Sequence, residues 1–280
     1  VTAAMVFGMV VLLGIVVLNT SLFLSQGLVL PMAATLLLGF AVYTLSMSAD
    51  HLLRSRAMLA LKQLFGRYVP PHLVEEMESH YDNYTMQAKN VEMTVLFCDM
   101  RDFSKIAENL LPSDVQAMLS RVFTQLSRVI LKHCGTIDKY MGDCVMAFWG
   151  APTQTNNHAH QAVLAALDMV DALAEINQVQ QRLGLPDVQL GIGINTGMMC
   201  VGDMGSDIRR SYTAVGDAVN LAARLQELSK TYSVAILVSA NTMSQASAFV
   251  WQEVDKVRVH GKTQVLSICT PLPHSHMLKS

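Results

Sequence analysis

Charge is missing from the first fifth of this 280-residue chain: Val1 to Ala49 holds no aspartate, glutamate, lysine or arginine, so all 42 charged residues fall in the remaining 231. A helix without charge lacks the solvated face that a helix on a soluble domain presents. No excess of either sign exists, since 20 Lys and Arg stand against 22 Asp and Glu, with a net charge of -2 and a pI near 6.5. That balance excludes nucleic-acid binding, which rests on a clustered basic surface. Cysteine is scarce and unpaired: Cys98, Cys134, Cys144, Cys200 and Cys269 are odd in number, form no CxxC and all lie beyond the uncharged block. A disulfide framework or a zinc ribbon is thereby excluded, and the five are read as reduced and mostly structural. No long internal repeat or low-complexity tract is present.

What the uncharged block does have is length. A bilayer core of about 30 Å takes about 20 apolar residues at 1.5 Å each. Two such runs fit, from about Ala3 to Leu24 and from about Leu28 to Ser46, joined by Ser25, Gln26 and Gly27. Two transmembrane helices are therefore expected over 1–49; a buried hairpin in a soluble domain is the alternative. No positive n-region precedes the first run, which argues against a secretory signal. Arg54, Arg56, Lys62 and Arg67 follow the second run, so the positive-inside rule places the C-terminal part in the cytosol and the chain as a multi-pass protein of the cell (inner) membrane, in contact with lipid. The chain starts with Val rather than Met, so upstream sequence is expected, and an external sensor would need one more span.

Residues 50–90 read as a signalling helix and linker. Leu52, Met58, Leu61, Leu64 and Phe65 recur at helical spacing, fitting a dimeric stalk or plain core packing, and Pro70-Pro71 ends the helix. From residue 91 strand and helix signals alternate. The spacing predicts strands at Val91–Cys98, Thr136–Tyr140, Cys144–Trp149, Val188–Ile194, Met198–Val201, Ser211–Val215 and Ala235–Val238. It predicts helices from a Ser113/Gln116 capping box to Cys134-Gly135, from Ala159 to Leu183 and from Ala218 to Leu228. The order βαββαβ plus a further βαββ implies an α+β sandwich of ferredoxin-like type, with helices on one face.

Several polar residues sit where that pattern puts chemistry. Asp99 ends an apolar strand and Asp143 occupies a hairpin tip; alone, each is a turn residue, but adjacent strands would bring both carboxylates to one divalent cation. Phe103 and Ser104 open a helix whose free N–H groups suit phosphate oxygens. Asn220 and Arg224, four apart, share one helix face, and Lys139 lies in an otherwise apolar strand where a snorkelling surface lysine is the plainer reading.

Four stretches make these positions cohere: LFCDMRDFS (96–104), GTIDKYMGDCVMAFWGAP (135–152), GIGINTGMMCVGDMGS (191–206) and SYTAVGDAVNLAARLQ (211–226). In order and spacing they resemble the signature blocks of the class III nucleotidyl cyclases, over about residues 66–270. The lead-in LFGRYVPPHLVEEM is similar to that of bacterial membrane-bound adenylate cyclases, in which a CHASE-type extracytoplasmic sensor precedes the last spans.

The resemblance implies a cyclase catalytic domain over 91–270, with a C-terminal tail at 271–280. It implies an adenylate cyclase that turns ATP into 3',5'-cyclic AMP and pyrophosphate at a homodimer interface, coupled to a sensor upstream in the same chain. Asp99 and Asp143, with the Met100 carbonyl, would hold two Mg2+ or Mn2+ ions. Lys139 and Thr213 would read adenine, where guanylyl cyclases carry Glu and Cys. Asn220 would position the ribose and Arg224 would steady charge on the α-phosphate. Three residues depart from the family pattern: Asp102 replaces a usual Gly, Thr213 replaces Asp, and His260 replaces a phosphate-contacting Lys, leaving Arg209 or Lys262 as substitutes. The alternatives are a guanylate cyclase and a catalytically silent cyclase-like regulatory dimerisation module.

Overall fold

The computed structural model describes residues 2–27, eight residues between 37 and 48, and 87–208, 210–257 and 265–272. The chain divides into two compact units, Val1–Gln63 and Leu64–Ser280. In the first unit, α1 (Thr2–Gln26) is a single helix without an acidic or basic residue, ended by Gly27 at φ 65°. Among its described side chains, Leu13, Val16, Val17, Leu18, Phe23 and Leu24 are exposed and Asn19 and Leu22 half-buried. Counting only described residues, no helix is long and apolar enough to cross a membrane. The two expected spans are not supported on that count. The second run lies mostly, and the stalk and lead-in wholly, outside the described residues.

The second unit is built on one sheet. β1 (Lys89–Met100) lies between β3 (Cys144–Trp149) and β4 (Leu190–Gly205), antiparallel to both, and β2 (Thr136–Met141) pairs with β3 as a hairpin. The order β2-β3-β1-β4 is the ferredoxin-like arrangement expected. Beyond it, β4 pairs with β5 (Arg210–Val215) along its second half and, in parallel, with β6 (Ile236–Ser239) along its first; β7 (Trp251–Val257) and β8 (Leu266–Pro271) complete the sheet. Four helices accompany the strands up to β6: α2 (Phe103–Glu108), α3 (Pro112–Lys132), α4 (His158–Arg182) and α5 (Asp217–Thr231). A short α6 (Ala240–Gln245) follows β6.

Helices cover both faces of the sheet, not the one expected. Leu96, Cys98 and Met100 of β1 face Met118, Val122, Leu126 and Ile130 of α3, one residue per turn, together with α4. The alternate residues Val91, Met93, Val95 and Phe97 face Val219 and Ala222 of α5. Strand periodicity alone assigns side chains to two sides; the near-continuous burial of β1 shows that neither side faces water.

Two local expectations fail for identifiable reasons. The Ser113/Gln116 capping box does not form: α3 begins two residues earlier, with Leu111 rather than Ser113 as N-cap, Pro112 in the first turn and no side-chain cap. The strands Val188–Ile194 and Met198–Val201 are one, β4, because Asn195-Thr196-Gly197 pairs in register with Val95, Thr94 and Met93. Within that stretch the Thr94 and Thr196 hydroxyls bond at 2.7 Å and Asn195 Nδ2 donates to the Ala218 carbonyl at 2.8 Å, while the buried Asn195 Oδ1 finds no partner among the described residues.

Candidate active site

Asp99 stands opposite Cys144 in the β1–β3 ladder, which delivers Asp143, one residue earlier in the β2–β3 turn, to its side chain. Gly142 at φ 64° makes that two-residue turn possible. Burial, then the neighbouring Asp143 charge and a hydrogen bond with its carboxyl, push the Asp99 pKa up to about 6. Gln226 Nε2 donates weakly to Asp99 Oδ2 at 3.4 Å, and the Met100 N–H also donates, both opposing the shift. Two carboxylates held together at this cost are hard oxygen donors that a divalent cation would relieve, so the residues fit such an ion. Among the described residues no group of three His, Cys, Asp or Glu side chains could hold a metal. The remaining ligands would therefore be backbone carbonyls, substrate oxygens or water.

The loop after β1 is clamped to α5. Arg101 Nη2 donates to the carbonyls of Ser229, at 3.1 Å, and Val234, at the C-terminal end of α5 where a cation is favoured. Asp102 accepts from Lys230 at 2.9 Å and pairs with Lys105 at 3.3 Å; these two lysines, Lys230 first, hold its carboxyl below the usual range. Asp102 also has φ 54°, which accounts for the glycine usual in the family: the position is left-handed, and Asp is among the few side chains that tolerate it. The expected negative charge beside the phosphate loop is thus paired. Phe103 and Ser104 do open α2 as expected, although Asp102 makes no side-chain cap.

Lys139 and Thr213 meet, as the sequence implied: Lys139 Nζ donates to Thr213 Oγ1 at 3.0 Å. The residue that the sequence reading passed over is Asp138. Its buried carboxylate accepts from Thr213 Oγ1 at 2.6 Å and from the Ala214 N–H at 3.3 Å, and lies 3.3 Å from Lys139 Nζ. Burial pushes its pKa up, against Thr213 and Lys139. An acidic residue inside a strand beside a lysine was the available signal.

Asn220 is exposed and Arg224 half-buried, one turn apart on α5. This helix lies unusually close to β4. A Cβ on Gly193 would stand 2.2 Å from the Gln226 nitrogen and 2.3 Å from the Ala222 oxygen. The structure thus forms two clusters, Asp99/Asp143/Gln226 and Asp138/Lys139/Thr213, and a helix carrying Asn220 and Arg224. Arg209, His260 and Lys262 lie outside the described residues.

The family described as "Adenylate and Guanylate cyclase catalytic domain" matches residues 85–269. This chain belongs to that family. Among curated relatives of the cyclase domain, "Adenylate cyclase 1" of Rhizobium meliloti (strain 1021) is 37% identical over 207 residues, covering 73% of this chain and 31% of that protein. "Adenylate cyclase" of Anabaena cylindrica is 31% identical, covering 73% of this chain and 42% of that one. The chain thus spans less than half the length of these relatives. Among solved structures, that of the guanylyl cyclase Cya2 is 34% identical with a TM-score of 0.63, covering 66% of this chain and 94% of its own. The adenylyl cyclase CyaB from P. aeruginosa is 30% identical, also with a TM-score of 0.63, over 66% and 96%. The fold is common to enzymes named for either purine, so base choice rests on the site.

Proposed function

We propose that this chain is the catalytic part of an adenylate cyclase that converts ATP to 3',5'-cyclic AMP and pyrophosphate. The observation that carries the purine choice is the Lys139–Thr213 contact at 3.0 Å, in place of the Glu and Cys of guanylyl cyclases. An ammonium donates to the adenine N1 acceptor, whereas guanine N1 is itself a donor. The contact of Asp99 with Asp143 supports the chemistry, since it brings together the two carboxylates to which the resemblance assigns Mg2+ or Mn2+. Such ions, when bound, would lower the pKa of the ribose 3'-hydroxyl and offset charge on the phosphates. The protein's own part is to hold the substrate. The N–H groups at Phe103 and Ser104 would take phosphate oxygens, Asn220 would orient the ribose, and Arg224 would oppose the charge that builds on the α-phosphate. Arg209 and Lys262 are the candidates for the contact that His260 replaces. No protein nucleophile is needed.

The homodimer is part of the same proposal, with the aspartates of one subunit serving a site completed by Lys139, Asn220 and Arg224 of the other. Tyr140, Met141, Met198 and Val215, apolar yet exposed on β2, β4 and β5, support an interface at this edge. Placement in a membrane is supported by the uncharged first 49 residues and the basic residues that follow, and coupling to an upstream sensor rests on the resemblance of the lead-in LFGRYVPPHLVEEM. The deciding test is turnover of ATP and GTP by the purified protein with Mg2+ or Mn2+. Cyclic AMP and pyrophosphate formed at the higher kcat/KM supports the reading. A preference for GTP would make it a guanylate cyclase, and no product from either would leave a silent module.

A further inference from the structure

Asp138 and Lys139 are neighbours in β2 and in a regular strand would point to opposite faces. They do not, because the β2–β3 register slips between Ile137, opposite Ala147, and Lys139, opposite Met146, leaving Asp138 as the extra residue of a β-bulge. Both side chains consequently reach Thr213 on β5. The Asp138 side chain is 1% exposed and that of Lys139 43%, so the carboxylate lies beneath and the ammonium reaches solvent.

With Asp138 ionised, the proton count of this triad has one solution. A threonine hydroxyl has one hydrogen and two lone pairs, an ammonium only donates, and an ionised carboxylate only accepts. The Ala214 N–H at one Asp138 oxygen and Lys139 Nζ at the other favour the ionised form. The single Thr213 hydrogen must then go to Asp138, at 2.6 Å, while Lys139 donates into one Thr213 lone pair, at 3.0 Å. One lone pair is left, so toward a ligand Thr213 can only accept. Lys139, with three hydrogens, keeps one to donate outward.

We propose that Asp138 is a specificity-determining positioning residue. By taking the Thr213 proton and holding Lys139, it presents an acceptor beside a donor, the complement of the adenine N6 amino group and N1. Guanine offers an O6 acceptor and an N1–H donor at the same places and meets two mismatches. The inference rests on the cyclase reading above and deepens it: without Asp138, Thr213 is free to turn its hydrogen toward a purine O6 and loses its bias.

The test is Asp138→Asn, nearly isosteric, with kcat/KM and equilibrium affinity measured for both ATP and GTP. The amide introduced by this substitution can donate to Thr213 Oγ1 and release its hydrogen. The ATP over GTP preference should fall about tenfold, mostly through KM and affinity. Thr213→Val, which keeps Asp138 but removes the hydroxyl, should lose a similar preference, and in that background Asp138→Asn should change the ratio no further. An unchanged ratio in folded Asp138→Asn, or an equal drop in the Thr213→Val background, overturns the inference while the cyclase reading stands. If Asp138→Asn does not fold, an unchanged preference in Thr213→Val overturns it alone. A wild-type protein that prefers GTP in both measurements overturns the adenylate reading and this inference together.

Discussion

Asp143 reaches Asp99 because the residue after it, Cys144, is the direct cross-strand partner of Asp99. Backbone register, set by the hydrophobic alternation of β1 and β3, thus forces two carboxylates together and pushes the Asp99 pKa up to about 6.

The first prediction follows from that sign. A carboxyl with its folded pKa raised contributes stability that is full below its ordinary value near 3.8 and is lost as pH rises through about 6. In chelator, the thermal midpoint should fall across this window. Burial is the larger cause, so Asp143→Asn should shrink the fall rather than abolish it. With Asp99 half exposed and solvent screening discounted, the variant should gain on the order of 1 kcal/mol at pH 7. The same variant should lose at least about 100-fold in cyclase turnover if the pair holds the metal. Activity within tenfold of wild type would remove Asp143 from the site.

Subunit sharing is checked by mixing two inactive chains, Asp99→Ala and Arg224→Ala. A heterodimer with shared sites has one site with both lesions and one with neither, and should recover up to about half of the wild-type activity per dimer. A heterodimer verified by differential tags that stays inactive contradicts the shared site.

Gly193→Ala should be costly although the change is one methyl group. The added Cβ would press on the α5 backbone at Gln226 and Ala222, which cannot rotate away, unlike the Ser229 hydroxyl facing Gly191. Overpacking of this kind costs about 1–3 kcal/mol. Thermal denaturation should show a larger loss for Gly193→Ala than for Gly191→Ala, with lower turnover as α5 carries Asn220 and Arg224 outward. Equal midpoints for both variants would mean that α5 does not sit where the sheet glycines place it.

Asp102 separates conformation from charge. Asp102→Gly keeps the left-handed φ and loses only exposed, solvent-screened ion pairs to Lys105 and Lys230, so stability should stay close to that of the wild type. Asp102→Val, β-branched at φ 54°, should lose about 1–2 kcal/mol. Chemical denaturation of the two variants measures the difference, and a Gly variant as unstable as the Val variant would assign the role to the charge.

The β2–β3 hairpin was legible in the sequence because its signal is local: two β-rich runs around Met141-Gly142-Asp143 closed as the spacing implied, and α4 and α5 likewise followed their own periodicity. The four motif blocks named Asp99, Asp143, Lys139 and Thr213, and the structure brought each pair into contact. Other features depend on residues far apart in the chain, and these the sequence misplaced. Asn195-Thr196-Gly197 carries turn chemistry, yet stays extended because β1 pairs with it along its whole length and Thr94 satisfies Thr196. Asp138 was passed over in the sequence because only the bulge and β5 bury it under Thr213. Periodicity and turn residues act over a few neighbours and so determine which elements form. Tertiary pairing decided which polar groups lost water, since a buried carboxylate must find its donors wherever the fold brings them, here 75 residues away in the chain.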